Sequence, residues 1–259
     1  MIAIDVSGEG APLVLVHGVG TNRAVWRRVT PLLATGRLVA APDLPGFGDS
    51  PAVGRGFALA SAADALAEAL AAELPTPFDL LGNSLGGAVA LVLAGRRPEL
   101  VRRLVLAAPA GLAPHPAPVA AVAGRAGSAL IAARRHAAPL AGSATARRLL
   151  LLGTVSRPAA VPAAEARAML RGSQHSTRIG AAIAAVAAAD LRPQLADLAI
   201  PCGFVWGARD RVVPLAAVRG RLAGRPVEVI AGAGHVPQLE RPRELAAAVE
   251  RVLAAITDR

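Results

Sequence analysis

A serine in a glycine-rich turn is the residue in this chain best suited to covalent chemistry. Residues 82–86 read Gly-Asn-Ser-Leu-Gly, and a further glycine, Gly87, follows. A buried strand is predicted before this turn and an apolar helix after it, a setting that exposes a serine hydroxyl at the edge of a sheet. Side chains at 82 and 86 would collide with the neighbouring strand and helix while the turn holds a strained backbone. Ser84 is therefore predicted to be a nucleophile, and the alternative is a simple helix N-cap.

A serine hydroxyl becomes a good nucleophile when a base takes its proton, and two further residues fit that need. His235 lies in a loop of small residues, Gly232-Ala-Gly-His-Val-Pro, after a predicted strand. Asp210 directly follows another predicted strand, and a carboxylate holds such a base in one tautomer. All three residues follow carboxyl ends of strands, where open α/β sheets bind ligands. The pattern predicts acyl transfer with Ser84 as nucleophile, His235 as base and Asp210 as the orienting carboxylate. As alternatives, Asp210 caps the next helix or pairs with a neighbouring arginine, and His235 is a buried turn residue.

Acyl transfer also needs hydrogen-bond donors aimed at the developing oxyanion. The segment His17-Gly-Val-Gly20 follows a predicted strand and offers a glycine-flanked backbone. We predict that the amide N–H of Val19 converges with that of Leu85, the residue after the nucleophile. His17 is expected to shape this loop and not to act as a base. Contacts with the substrate are expected from His17, Gly18, Asn83 and Val236.

Strands and helices alternate along most of the chain. The short apolar runs bounded by turn residues predict buried parallel strands. Together with the helical patterns they predict an α/β fold, a mostly parallel sheet with helices on both faces. The strands are expected at 13–17, 37–42, 78–82, 103–108, 202–206 and 226–230, and the helices near 25–34, 60–73, 85–96, 215–222 and 241–256.

The alternation stops between residues 112 and 195. This stretch opens with prolines and continues through alanine- and arginine-rich helical segments without a convincing strand. It is too long for a loop in a compact domain, so a helical insertion is expected. The predicted organisation is a core in two parts, 1–111 and 196–259, with the insertion 112–195 between them.

Most of the charge of the chain lies in this insertion. The chain has 259 residues, no lysine and a formal net charge of +10. The insertion holds ten arginines against two acids, Glu165 and Asp190. The arginines are interpreted either as solvated helix faces or as a surface that attracts carboxylate-bearing substrates or an acidic carrier protein. Because the aromatic content of 2% leaves few surfaces for base stacking, nucleic acid is not an expected partner.

Cysteine and histidine usage argue against a metal site. With one cysteine, Cys202, the chain can form neither an internal disulfide nor a cysteine metal cluster. His115, His136 and His175 lack ligand-like spacing, so neither a metal nor a cofactor is expected. The N-terminus has no signal-peptide pattern, and the alanine-rich stretches are too short or too interrupted for a membrane span. We therefore expect a cytoplasmic protein, with its oligomeric state left open.

Several motifs together resemble those of the α/β-hydrolase superfamily. Within it the chain is most similar to small carboxylesterases, including the pimeloyl-carrier-protein methyl ester esterase type, through Val25-Trp26, Asp43-Leu-Pro-Gly-Phe-Gly48 and Gly54-Arg-Gly-Phe57. The resemblance implies that the insertion 112–195 is a helical lid over the active site. The superfamily motifs are His17-Gly-Val-Gly20, Asp43-Leu-Pro-Gly-Phe-Gly-Asp-Ser50, Gly82-Asn-Ser-Leu-Gly-Gly87, Trp206-Gly-Ala-Arg-Asp210 and Gly234-His235.

Other activities of the same superfamily stay open at the level of sequence. The Asn-Ser-Leu-Gly-Gly run at 83–87 also resembles carbon–carbon bond hydrolases, which commonly have tryptophan after the catalytic histidine, where this chain has Val236. Thioesterases and lactonases share the triad, and the fold does not separate them. Some proteins of this fold bind ligands with little turnover, which an intact Ser/Asp/His set disfavours. We expect hydrolysis of a small-molecule carboxylic ester with an apolar acyl group, through an acyl-enzyme intermediate.

Overall fold

A parallel sheet forms the centre of the protein. The computed structural model describes residues 1–172, 176–222 and 224–256. Within them the strands are β1 (Ile4–Ser7), β2 (Ala11–Val16), β3 (Arg37–Pro42), β4 (Phe78–Asn83), β5 (Val101–Ala107), β6 (Cys202–Gly207) and β7 (Val227–Ile230). Their order across the sheet is β1-β3-β2-β4-β5-β6-β7. β1 pairs antiparallel with β3, and the other neighbours pair parallel.

Helices cover both faces of this sheet and bury two apolar clusters against it. The helices are α1 (Thr30–Leu33), α2 (Leu59–Glu73), α3 (Leu85–Arg96), α4 (Ala117–His136), α5 (Ala144–Leu150), α6 (Ala163–Arg171), α7 (Ile179–Ala188), α8 (Arg192–Ala196), α9 (Leu215–Val218), α10 (Pro237–Glu240) and α11 (Pro242–Ala255). In α11, buried Leu245, Val249 and Val252 recur at the spacing of one helix face, so that face packs on the sheet. The first ten residues of α3 are buried, which explains their continuous apolar sequence. β4 is buried as well and includes Asp79, whose carboxylate pairs with Arg37, Arg102 and Arg103.

The predicted α/β fold is confirmed, with local differences. The helix expected near 215–222 is the short α9 followed by a 3₁₀ turn at Arg219–Arg221. β1 was missed because it is a four-residue edge strand whose side chains are mostly exposed, so it carries little apolar signal. The helix expected near 25–34 is a 3₁₀ turn at Arg23–Trp26 followed by the short α1. Pro31 lacks the N–H that a continuous helix through residue 27 would need, and this ends the helical ladder there.

The segment between β5 and β6 is helical, as the sequence predicts, and contains α4 to α8. No strand lies in this segment among the residues that the structure describes. α4 and α7 pack closely through small residues, since a Cβ on Gly124 would lie 2.6 Å from the carbonyl oxygen of Gly180. The domain limits 1–111, 112–195 and 196–259 stay predictions.

Two further observations concern the whole described chain. No described helix is both long enough and apolar enough to cross a lipid bilayer. No group of three or more His, Cys, Asp or Glu residues within the described ranges is arranged to hold a metal ion. His175, one of the histidines considered above, lies outside those ranges.

Candidate active site

Ser84 occupies a sharp turn between β4 and α3. Its backbone has φ 55° and ψ −117°, a conformation that costs a residue with a side chain about 1–3 kcal/mol. The turn is held by backbone hydrogen bonds from Ser84 N to the Ala107 carbonyl oxygen at 3.0 Å and from Ala110 N to the Ser84 carbonyl oxygen at 3.1 Å. These bonds fix the serine at the carboxyl end of the central strands, where the sequence places it.

The glycines on both sides of Ser84 allow the backbones to approach closely. A Cβ on Gly82 would overlap the Gly86 carbonyl group and would lie 2.7 Å from the Cα of Gly87. A Cβ on Gly86 would overlap the carbonyl oxygens of Val16 and His17. Because these neighbours are backbone atoms that cannot rotate away, the positions require glycine, as the sequence predicts.

Asp210 and His235 form a buried hydrogen-bonded pair. His235 Nδ1 lies 2.7 Å from Asp210 Oδ2, and both residues are less than a tenth exposed. The second carboxylate oxygen, Oδ1, accepts from the backbone N–H groups of Val212 and Val213 at 2.8 and 2.9 Å. The Asp210 carboxylate thus holds its own turn and also orients the imidazole of His235 through Nδ1. Nε2 is the ring nitrogen that does not bond to Asp210.

The loops that carry this pair pack against each other at Gly207, the last residue of β6. A Cβ there would overlap the carbonyl oxygen of Gly234 and would lie 2.6 Å from that of Ala233. Arg209 N donates to the Ala233 carbonyl oxygen at 2.8 Å. The small residues of both loops therefore permit the contact between Asp210 and His235.

Ser84 and His235 line one cavity of about 220 Å³ beneath the helical insertion. The insertion contributes apolar side chains from α4, α5 and α6, so the wall opposite the serine is mostly aliphatic. Arg134 contributes a positive charge to this wall. Its guanidinium donates to the Leu152 carbonyl oxygen at 2.9 Å and to Thr154 Oγ1 at 3.3 Å. The lining residues include Gly18, Val19, Asn83, Ser84, Leu130, Ile131, Arg134, Leu150, Met169, Leu170, His235 and Val236.

The loop after β2 lies directly against the nucleophile. A Cβ on Gly18 would be 3.2 Å from Ser84 Cβ, and Val19 lines the cavity beside it. Leu85 follows Ser84 as the first residue of α3 and is fully buried. Gly18, Asn83 and Val236, which the sequence singles out for substrate contact, also border the cavity.

His17 lies behind this wall and is fully buried, so its place is in shaping the loop. Its Nε2 accepts from the backbone N–H of Leu44 at 3.0 Å, which leaves Nδ1 to donate to the Gly18 carbonyl oxygen at 2.9 Å. Burial lowers the pKa of His17, against the hydrogen bond to Gly18 and the nearby carboxylate of Asp43, which raise it. The neutral imidazole therefore ties the Gly18 loop to residue 44.

The lowered pKa of His17 predicts a loss of stability in acid. The pKa in the folded state lies below the ordinary 6.5, so the unfolded chain binds the proton first as the pH falls. The free energy of unfolding should then drop below about pH 6.5 by up to ~1.4 kcal/mol per pH unit. Urea unfolding at about pH 7.5 and about pH 5.5 measures this in the parent and in His17→Gln, which does not titrate there. An equal fall in both proteins would contradict the prediction.

Asn83 connects the serine turn to the histidine loop. Its Nδ2 donates to the carbonyl oxygens of Ala107 at 3.0 Å and His235 at 3.2 Å. Its Oδ1 accepts from Gln238 Nε2 at 3.0 Å. Asn83, which is expected to contact substrate, thus also has this bridging role, and nothing in the sequence marks Gln238, because no local pattern links positions 155 residues apart.

The comparisons with known proteins identify the family and support the fold. The sequence model of the alpha/beta hydrolase family matches residues 13–248. Two relatives are both named pimeloyl-[acyl-carrier protein] methyl ester esterase. That of Aeromonas hydrophila is 33% identical over 256 residues, 96% of this chain and 98% of that protein. That of Aromatoleum aromaticum is 35% identical over 258 residues, 93% of this chain and 97% of that protein.

A solved structure shows the same fold. A thermophilic esterase from Thermogutta terrifontis superposes with a TM-score of 0.77 at 23% identity, over 98% of this chain and 93% of that one. The chain belongs to the alpha/beta hydrolase family. The family resemblance and the class of carboxylic ester hydrolase predicted from the sequence are confirmed.

Proposed function

We propose that the protein hydrolyses a carboxylic ester in two steps through an acyl-enzyme on Ser84. The observation that carries this proposal is the 2.7 Å bond between His235 Nδ1 and Asp210 Oδ2 beside a cavity that Ser84 and His235 both line. This bond selects the tautomer in which Nε2 is unprotonated and able to accept a proton. Ser84 is then the nucleophile, His235 the general base and Asp210 the residue that orients the base.

In the first step the Ser84 hydroxyl proton passes to His235 Nε2 while Oγ forms a bond to the ester carbonyl carbon. The carbonyl oxygen becomes an oxyanion, which the backbone N–H groups of Val19 and Leu85 stabilise. When the tetrahedral intermediate collapses, the bond to the alcohol oxygen breaks and His235 returns its proton to that oxygen. The alcohol leaves, and the acyl group stays on Ser84.

In the second step a water molecule takes the place of the alcohol. His235 Nε2 accepts a proton from the water as its oxygen attacks the acyl carbonyl carbon, and the same donors hold the oxyanion. The bond to Ser84 Oγ then breaks, and His235 gives its proton to Oγ. The free acid and the starting enzyme are the products.

The walls of the cavity support an apolar acyl group. Leu130, Ile131, Leu150, Met169 and Leu170 of the insertion face the site across from Ser84. We propose that the insertion acts as a lid that removes the acyl chain from water, worth about 0.8 kcal/mol for each buried methylene. The names of the relatives support the methyl ester of a carrier-bound acyl group as the substrate.

The arginines of the insertion support recruitment of an acidic carrier protein. Arg27, outside the insertion, neutralises Glu165, and Arg192 neutralises Asp190, so the two acids of the insertion are already paired. The other arginines of the insertion keep an excess positive charge that can attract a partner or be solvated. An acidic surface brought near it would be attracted over a Debye length of about 8–10 Å.

The substrate class is tested with a series of methyl esters of straight-chain acids. We expect kcat/KM to rise roughly 4-fold with each added methylene until the cavity is filled, and then to level off. Methanol release gives the rate. A rate that is independent of chain length would contradict the apolar acyl site.

Carrier recognition is tested in the same experiment with the pimeloyl methyl ester on its carrier protein. If the arginines attract the carrier, added salt lowers kcat/KM for this ester and leaves that of the free methyl ester unchanged. Equal responses to salt would assign the arginines to solvated helix faces.

Three other substrates of similar size test the alternative activities. An acyl thioester tests the thioesterase, a lactone the lactonase and a ring-fission product the carbon–carbon hydrolase. Faster turnover of any of them would replace the ester.

A further inference from the structure

Glu240, the last residue of α10, is only partly buried, yet its carboxylate accepts several hydrogen bonds. One carboxylate oxygen, Oε1, accepts from the backbone N–H of Gly234 at 2.7 Å. The other, Oε2, accepts from Ser156 twice, from the backbone N–H at 2.8 Å and from the hydroxyl at 2.6 Å. The N–H of Arg157 lies 3.3 Å from the same oxygen. One side chain therefore bridges the histidine loop and the helical insertion.

The two segments that Glu240 joins also bond to each other at the catalytic histidine. His235 N donates to the carbonyl oxygen of Thr154 at 3.0 Å. Ser156 Oγ lies within hydrogen-bond distance of the Gly232 carbonyl oxygen. A Cβ on Gly234 would be 2.8 Å from Ser156 N, so glycine is needed for this approach. Residues 154–156 of the insertion therefore lie directly against the loop that carries His235.

The same segment is also held by Arg134 of α4, which donates to Leu152 and Thr154. Both of these hydrogen bonds of the Arg134 guanidinium go to groups of this segment. Arg134 thus holds residues 152 and 154 of the segment, and Glu240 holds residues 156 and 157. A change in the position of the insertion would be transmitted to the His235 backbone through these bonds.

We propose that Glu240 is a positioning residue: its carboxylate fixes the His235 loop to Ser156 and Arg157 of the insertion and so sets the position of the imidazole between Asp210 and Ser84. This rests on the proposed function, in which His235 is the general base. The Glu240 carboxylate accepts from one backbone N–H of the loop, that of Gly234, and from Ser156 and Arg157 of the insertion. Its loss removes these bonds and leaves the bond from His235 N to Thr154 as a direct link, while the Asp210 carboxylate stays in place on its own turn.

The experiment compares Glu240→Ala and Glu240→Gln with a matched control, Glu244→Gln. Glu244 lies in the next helix, is about half exposed and pairs with Arg241 at 3.4 Å. For Glu240→Ala we expect kcat to fall on the order of 100-fold with little change in KM, the size of effect produced by a misplacement of about 1 Å. Glu240→Gln keeps one acceptor oxygen and should recover part of kcat. The control should leave kcat unchanged.

A second readout separates positioning from general stability. The imidazole proton shared by His235 and Asp210 gives a downfield proton NMR resonance, which we expect to shift or broaden in Glu240→Ala and to return toward its parent position in Glu240→Gln. Ser156→Ala removes the hydroxyl donor and keeps the backbone one, so it should lower kcat by less than Glu240→Ala. Thermal unfolding shows which variants are folded. If Glu240→Ala is unfolded, the proposal is tested with Glu240→Gln and Ser156→Ala instead.

Parent-like kcat and an unshifted resonance in a folded Glu240 variant would overturn the proposal. A lowered unfolding temperature with parent-like kcat and resonance would also overturn it, because that result describes a structural role alone. If the parent neither turns over esters nor reacts with a fluorophosphonate, the proposed function fails. The resonance still decides about Glu240 in that event, because it reports the bond between His235 and Asp210 without turnover.

Discussion

Ser84→Ala is expected to lower kcat/KM for the preferred ester by on the order of 10⁶-fold, the size of loss that follows removal of a serine nucleophile from such a triad. The reason is that no acyl-enzyme forms without Oγ. The fold should persist, because the turn is held by the backbone N–H and carbonyl groups of residue 84. Turnover of the ester by the purified variant measures the loss.

A fluorophosphonate probe adds a covalent test of the same residue. We expect the probe to label the parent, the adduct to lie on the peptide that contains Ser84, and labelling to disappear in Ser84→Ala. Ser61→Ala, at an exposed position of α2, is the matched control and should label like the parent. Substantial turnover by a folded Ser84→Ala protein would overturn the assignment of the nucleophile.

Asp210→Asn is expected to lower kcat on the order of 10⁴-fold, with a smaller effect on stability. Asparagine keeps an oxygen that can accept from Val212 and Val213, so the turn after β6 should survive. Its amide group would then face His235 Nδ1 as a donor. The imidazole would have to accept at Nδ1 and carry its proton on Nε2, where it can no longer take the proton of Ser84.

The measurement is kcat for the preferred ester together with thermal unfolding of the same sample. Asp197→Asn, at an exposed position after α8, serves as the control and should keep the parent rate. If Asp210→Asn kept the parent rate while folded, the carboxylate would be only a turn residue. If unfolding alone explained the loss of rate, the Asp210 carboxylate would likewise be only a turn residue.

The chemistry-bearing residues could be predicted from the sequence because their types and local surroundings are both informative. Ser84, Asp210 and His235 each follow an apolar run that forms a strand, β4, β6 and β7. Parallel strands end at one edge of a sheet, so three such residues are brought to the same side. Gly82 and Gly86 mark a close backbone approach that the structure contains.

Elements with weak apolar patterns were less predictable. β1 is an edge strand of four residues that pairs with β3 through backbone groups, so it is too short and too exposed to stand out in the sequence. α10 is a four-residue helix, too short to show a period of 3.6. It carries both Gln238 and Glu240, and no sequence pattern therefore marks either residue.

The sequence by itself determined the fold class, the order of Ser84, Asp210 and His235, and the helical character of the insertion, because these depend on residue type and on spacing along the chain. Only the tertiary structure decided which groups support them. Glu240 bonds to Ser156, 84 positions away, and Gln238 to Asn83, 155 positions away. The first of these bonds goes to a backbone group, which every residue has, and the second joins two side chains, and both form where strand and loop ends meet in space. No local pattern records that meeting, so the support of the base becomes visible only when the chain is folded.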